Sequence, residues 1–183
     1  MLSGGDPRGL LAYAQSYKQA ADAIVETIER TRRGADRMVY AVLFLYRHYL
    51  ELMLKGLMRM GRRLEKGSWD VPRKGHRINE LWQECRPMLE RQFPEGEKSA
   101  TDSVERCIKE LCRIDPNGEV SRYPEDTHGR PTIQGDRYLG LRNVRQTMDK
   151  IDGFLGGSYD GLDELLQHEA DVQSELDSFT SDG

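Results

Sequence analysis

What this chain lacks narrows it first. No apolar run approaches the roughly 20 residues that a membrane span needs; the longest, MVYAVLFLY, is bounded by Arg37 and Arg47. The opening MLSGGDPRG has no apolar core of a secretory signal. Cys85, Cys107 and Cys112 are an odd set without metal-ligand spacing, which fits free thiols in a reducing compartment and makes the expected location cytoplasmic. The four histidines, at 48, 76, 128 and 168, do not have zinc spacing. There is no Gly-rich phosphate loop and no Ser-His-Asp order, so neither a cofactor nor a metal is expected. Residues 160–183 contain no Lys or Arg at all.

That last absence reveals an asymmetry inside a net charge of −4. Eight of the 31 acids fall in residues 160–183 (Asp160, Asp163, Glu164, Glu169, Asp171, Glu175, Asp177 and Asp182). The rest of the chain holds all 27 Lys and Arg against 23 acids, a net of +4. Within it, Arg59, Arg62, Arg63, Lys66, Arg73, Lys74 and Arg77 face only Glu65 and Asp70 over residues 59–77. A basic body with an acidic tail is one pattern of a nucleic-acid binder that shields itself. It is equally the pattern of a solvated helix end followed by a polar tail.

The length, 183 residues, suits a single domain over 1–183 with a real hydrophobic core. The periodicity predicts an all-α bundle of about six helices. The first follows Asp6-Pro7, an N-cap and a proline at the first helical position, with Leu10, Leu11, Ala14, Tyr17, Ala20, Ala21, Ile24 and Ile28 inward, and stops at Gly34. The second spans about Asp36–Arg63. The third follows His76 to about Arg91, with a bend expected at Pro87. The fourth covers about Glu97–Ile114, with Val104, Cys107, Ile108 and Leu111 inward. A long Pro/Gly-rich loop fills about 115–136, with room for a short hairpin. The fifth helix spans about Arg137–Leu155 and ends at Gly156-Gly157. The sixth, about Tyr159–Phe179, has Leu162, Leu165, Leu166, Val172, Leu176 and Phe179 as its apolar set.

The second helix poses the functional question. On a wheel of about 100° per residue its apolar arc covers about 220°, against the roughly 100° stripe of a surface helix, so it must be packed on several sides. Yet FLYRHYLELMLKG places Arg47, His48, Glu51 and Lys55 in one wedge of it. Glu51 stands four residues after Arg47 and four before Lys55, so it can bridge both cations. These groups either fix packing as a polar network, or present Arg47 and His48 to a cleft. There, Arg would recognise phosphate and His would move protons.

Three strings in order, LYRHYLELMLKGLM, GHRINELWQECRPML and RYPEDTHGRP, followed by a long closing helix, resemble a bacterial branch of the HEPN superfamily over about residues 35–155. The resemblance implies a helical bundle, frequently dimeric. The superfamily includes metal-independent endoribonucleases of toxin–antitoxin and phage-defence systems, and inactive members that serve as binding or scaffold modules. Its ribonucleases carry an Arg and a nearby His, paired across a dimer. Arg47-His48 matches the start of that pattern, but the positions for the second His hold Leu52, Met53 and Leu54. Arg122 and His128 have the right spacing within the long loop.

The resemblance therefore implies Arg47, His48, Arg122 and His128 as catalytic candidates. The binding candidates are Glu51, Lys55, His76, Asp126, Arg59, Arg62, Arg63, Arg73 and Lys74. The loop bearing Arg122 and Asp126 is expected to fold back on Arg47, His48 and Glu51, and His76 to approach His48. The expected partners are a second copy of the chain, RNA, and a protein partner or antitoxin. The reading favoured by the sequence is an RNA-directed effector that cleaves without metal; the alternative is a non-catalytic helical module for dimerisation or for binding a partner or nucleic acid.

Overall fold

The structure is a computed structural model that describes residues 7–66, 77–115, 128 and 140–181. Among the described residues there are five helices, α1 (Pro7–Thr31), α2 (Ala35–Leu64), α3 (Ile78–Gln92), α4 (Lys98–Ile114) and α5 (Leu141–Ser181). No strand occurs among the described residues, and no helix there is long and apolar enough to cross a membrane.

α1 and α2 form a hairpin whose corner needs glycine. Gly34 takes φ 79°, and its carbonyl accepts the amides of Arg37 and Met38 to open α2. α2 is the axis of the bundle, as its wide apolar arc requires: Tyr46, Tyr49, Leu50, Met53, Leu54 and Leu57 are all buried. α3 runs alongside α2 in the same direction, since Arg62 pairs with Glu84 and Glu65 with Arg91. The two helices approach closely at Gly61, where a Cβ would lie 2.1 Å from Met88 Sδ. α3 passes through Pro87, whose ring is exposed, and continues to Gln92. α4 returns antiparallel to α3. Arg86 binds Glu90 at 2.8 Å within α3 and reaches Asp102 at 2.7 Å and Glu105 on α4. Val104 and Ile108 are buried as their spacing predicts, whereas Cys107 and Leu111 are half-buried.

The expected fifth and sixth helices are one. α5 is continuous for 41 residues, and Gly156 and Gly157 lie inside it. A glycine pair lowers helix propensity by about 1 kcal/mol per residue but does not force a left-handed turn. Apolar residues before and after the pair stay in helical register, and their burial outweighs that cost. Leu155, Tyr159 and Leu162 are all buried on one side of the helix, while Gly161 accepts the Phe93 ring, which a Cβ would meet at 2.9 Å. α5 runs antiparallel to α1, as Gln15 bonds Asp152 and Arg142 bonds Glu29. Beyond Leu166 it leaves the bundle, and residues 167–179 are exposed.

Candidate functional site

Arg47, His48, Glu51 and Lys55 occupy two turns of α2, and the wedge they form is largely interior. Arg47 is 2% exposed and Glu51 3%. The Arg47 guanidinium donates through Nη1 to the backbone carbonyl of Asp115 at 2.7 Å. Asp115 is the residue that closes α4, its own amide donating to Leu111 O. A cation at a helix C-terminus satisfies orphan carbonyls and opposes the negative end of the dipole. Arg47 thus ties the last turn of α4 to the middle of α2. It also faces Cys112, where burial pushes the thiol pKa up against the lowering pull of the Arg47 charge and of the Asn79 backbone.

Glu51 is held from its own helix. Lys55 Nζ donates to Oε1 at 2.5 Å, and His48 Nδ1 stands 3.9 Å from Oε2. A buried carboxylate is costly unless charge-paired and hydrogen-bonded, and the four-residue spacing supplies the pairing. His48 lies at the rim with about 30% of its side chain exposed. The Tyr17 ring meets its imidazole edge-on at 4.4 Å, and Phe44, one turn earlier, stacks on it at 5.9 Å. The ring is therefore held in place by packing from α1 and α2.

Among the other candidates, Arg59 is half-buried on α2, Arg62 is engaged with Glu84 at 3.2 Å, and Arg63 is exposed. His128 is exposed at a turn. His76, Arg73, Lys74, Arg122 and Asp126 lie outside the described residues, and so does the expected return of the loop onto α2. Among the described residues, no group of three or more His, Cys, Asp or Glu side chains is arranged to hold a metal ion.

The sequence reading missed a second polar cluster, on the other side of α2. Lys18, 7% exposed, reaches from α1 to Asp149 of α5 at 2.6 Å and to Asp22 at 3.0 Å, with Asp152 at 3.9 Å. Two phenols of α2 complete it: Tyr46 donates to Asp22 at 2.6 Å and Tyr49 to Asp152 at 2.7 Å. Burial would depress the Lys18 pKa, but hydrogen bonds and charge from Asp149 and Asp22 offset it and leave the pKa raised. Both phenols are pushed up, first by burial and then by the carboxylates that accept their protons. The cluster joins three helices, and its stoichiometry of donors and acceptors suits a structural lock. The one sequence signal was the Lys18–Asp22 spacing on a helix otherwise read as amphipathic.

A cavity of about 340 Å³ lies between the α3–α4 turn and α5, walled by Leu89, Phe93, Thr101, Phe154 and the open faces of Gly153 and Gly157. It is separate from the wedge of α2. Comparison with known proteins gives no match for this chain among family models, curated proteins or solved structures.

Proposed function

We propose that the chain is a non-catalytic, HEPN-like helical module that works by binding a partner rather than by cleaving RNA. The observation that carries this reading is the Arg47 guanidinium, buried and bonded to the Asp115 carbonyl. A phosphate-binding Arg has to present its planar donors to the ligand; this one spends Nη1 on the end of α4. Glu51 and Lys55 satisfy one another on the same helix. The described basic residues at the end of α2 are not a uniform positive patch either, since Arg62 and Glu84, and Arg91 and Glu65, form pairs there.

The second reading, a metal-independent endoribonuclease of a toxin–antitoxin or phage-defence system, has one observation in its favour. His48 keeps part of its ring exposed next to the Glu51 carboxylate, a geometry that a general acid or base requires.

A single experiment separates the two. The purified chain and its His48→Ala variant are incubated with labelled RNA in EDTA. The expected result is no cleavage by either protein. Cyclic-phosphate-ended fragments made by the parent chain and lost in His48→Ala would overturn the binding-module reading. His48→Ala is preferred to an Arg47 variant because loss of the buried Arg47 is expected to destabilise the fold.

A further inference from the structure

We propose that the C-terminal limb of α5, residues 165–179, docks a basic amphipathic helix of another protein, and this rests on the reading of the chain as a binding module. The inference begins with the register of α5. One column of residues seven apart reads Val144, Ile151, Ser158, Leu165, Val172 and Phe179. A second reads Leu141, Met148, Leu155, Leu162, Glu169 and Leu176. Together they form the two core positions of a heptad seam, interrupted only by Ser158 and Glu169.

The first half of that seam is the face by which α5 enters the bundle: Leu141, Met148, Ile151, Leu155 and Leu162 are all buried. The seam continues in the same register where the bundle has ended, with Glu169 as its one polar position there. Val172 is 42% exposed, Leu176 55% and Phe179 80%. A limb that only met water would have no reason to hold β-branched, aliphatic and aromatic residues in register. The exposed stretch, residues 167–179, spans about 20 Å at 1.5 Å per residue, nearly two heptads of helix continuous with an interface the protein already uses.

Charge selects the occupant. Glu175 stands at a position flanking the seam, Glu169 stands within it, and residues 160–183 contain no Lys or Arg. Two copies of the limb side by side in parallel would set Glu169 against its own counterpart, and the apposed negative ends of the helix dipoles add to the repulsion. A helix with apolar core positions and Lys or Arg on its flanks meets both features: it covers Val172, Leu176 and Phe179 and pairs with Glu169 and Glu175.

The test uses the full chain and two labelled helical peptides with identical leucine core positions, one flanked by Lys and one by Glu. Anisotropy is read at low and high salt. The Lys peptide is expected to bind with an affinity that falls as salt rises, and Leu176→Asp with Phe179→Asp is expected to weaken it at least about tenfold. The thermal melt of the variant is expected to match the parent, because both side chains are exposed. Equal binding of the two peptides, or binding that ignores the double substitution, overturns the proposal. Light scattering that finds a dimer dissociated by the same substitutions overturns the choice of occupant in favour of a second copy. His48-dependent RNA cleavage would remove the wider reading and leave the peptide result standing, so the two failures are told apart.

Discussion

The ammonium of Lys18 lies 2.6 Å from Asp149 Oδ1, across 131 residues of chain, and the same nitrogen is 3.0 Å from Asp22 on its own helix. This joint fastens the first helix to the last. Lys18→Met should leave three carboxylates facing one another. The expected loss is about 2–3 kcal/mol, less than the roughly 3–5 of a fully buried pair because Asp149 is half-exposed. The shift of the urea midpoint at neutral pH measures it. Asp149→Asn should cost less, since Asp22 remains.

The same cluster sets an alkaline limit. Lys18, Tyr46 and Tyr49 all have raised pKa values in the fold. Each keeps its proton when folded, whereas the unfolded chain begins to release it near pH 10. Stability from these groups is therefore complete below about pH 10 and falls as pH rises beyond it. Urea melts at pH 8, 9.5 and 11 should show the decline, and Tyr46→Phe with Tyr49→Phe should flatten it. A parent protein equally stable at pH 8 and 11 would contradict the assignment.

Gly156 and Gly157 give a test with opposite signs for two architectures. If the helix ended there in a left-handed turn, alanine would be strained and would destabilise. In the continuous helix a Cβ at either position meets nothing within 4 Å. Each Gly→Ala change should then stabilise by up to about 1 kcal/mol through helix propensity. Thermal denaturation of the double variant decides the sign.

Arg47→Met should destabilise by about 2–3 kcal/mol, because the buried Asp115 carbonyl loses a charged donor. Arg47→Lys should recover only part of this, as one ammonium does not reproduce the guanidinium's reach. Amide exchange localised to the last turn of α4 would show that the loss acts through the helix end.

Truncation after Gln167 should change the unfolding free energy by no more than about 0.5 kcal/mol, since the removed residues are exposed. A cut before Leu162 should be strongly destabilising, for Leu162 is fully buried. Denaturant melts of the two truncations give the comparison.

The helical class and the central place of α2 were legible because hydrophobic period is a local signal. The breadth of its apolar arc already required neighbours on several sides, and α1, α3 and α5 supply them. The wedge of Arg47, Glu51 and Lys55 was legible as a unit, but spacing alone does not say whether a charged strip faces water or another helix. That depended on Asp115, distant in sequence. Lys18 was passed over for the same reason: its partners on α5 leave no trace near it. Gly156-Gly157 misled because glycine marks a helix end only when the chain turns there, and the apolar register on either side was the stronger signal. His76, Arg122 and Asp126 lie outside the described residues, and the loop's contribution to the site rests with the sequence alone.

The antiparallel joining of α1 to α5 bears on how the chain is born. A ribosome releases α1 and α2 first, and the hairpin they make still shows the side of α2 that α5 will cover. Asp152, the acceptor for both Gln15 and Tyr49, emerges more than a hundred residues after the groups it serves. Until then Tyr46, Tyr49 and Lys18 have only Asp22 among the cluster's carboxylates, and the apolar flank beside them is open to chaperones or to neighbouring nascent chains. Closure of the fold is thus a late event in synthesis, set by the arrival of its last helix.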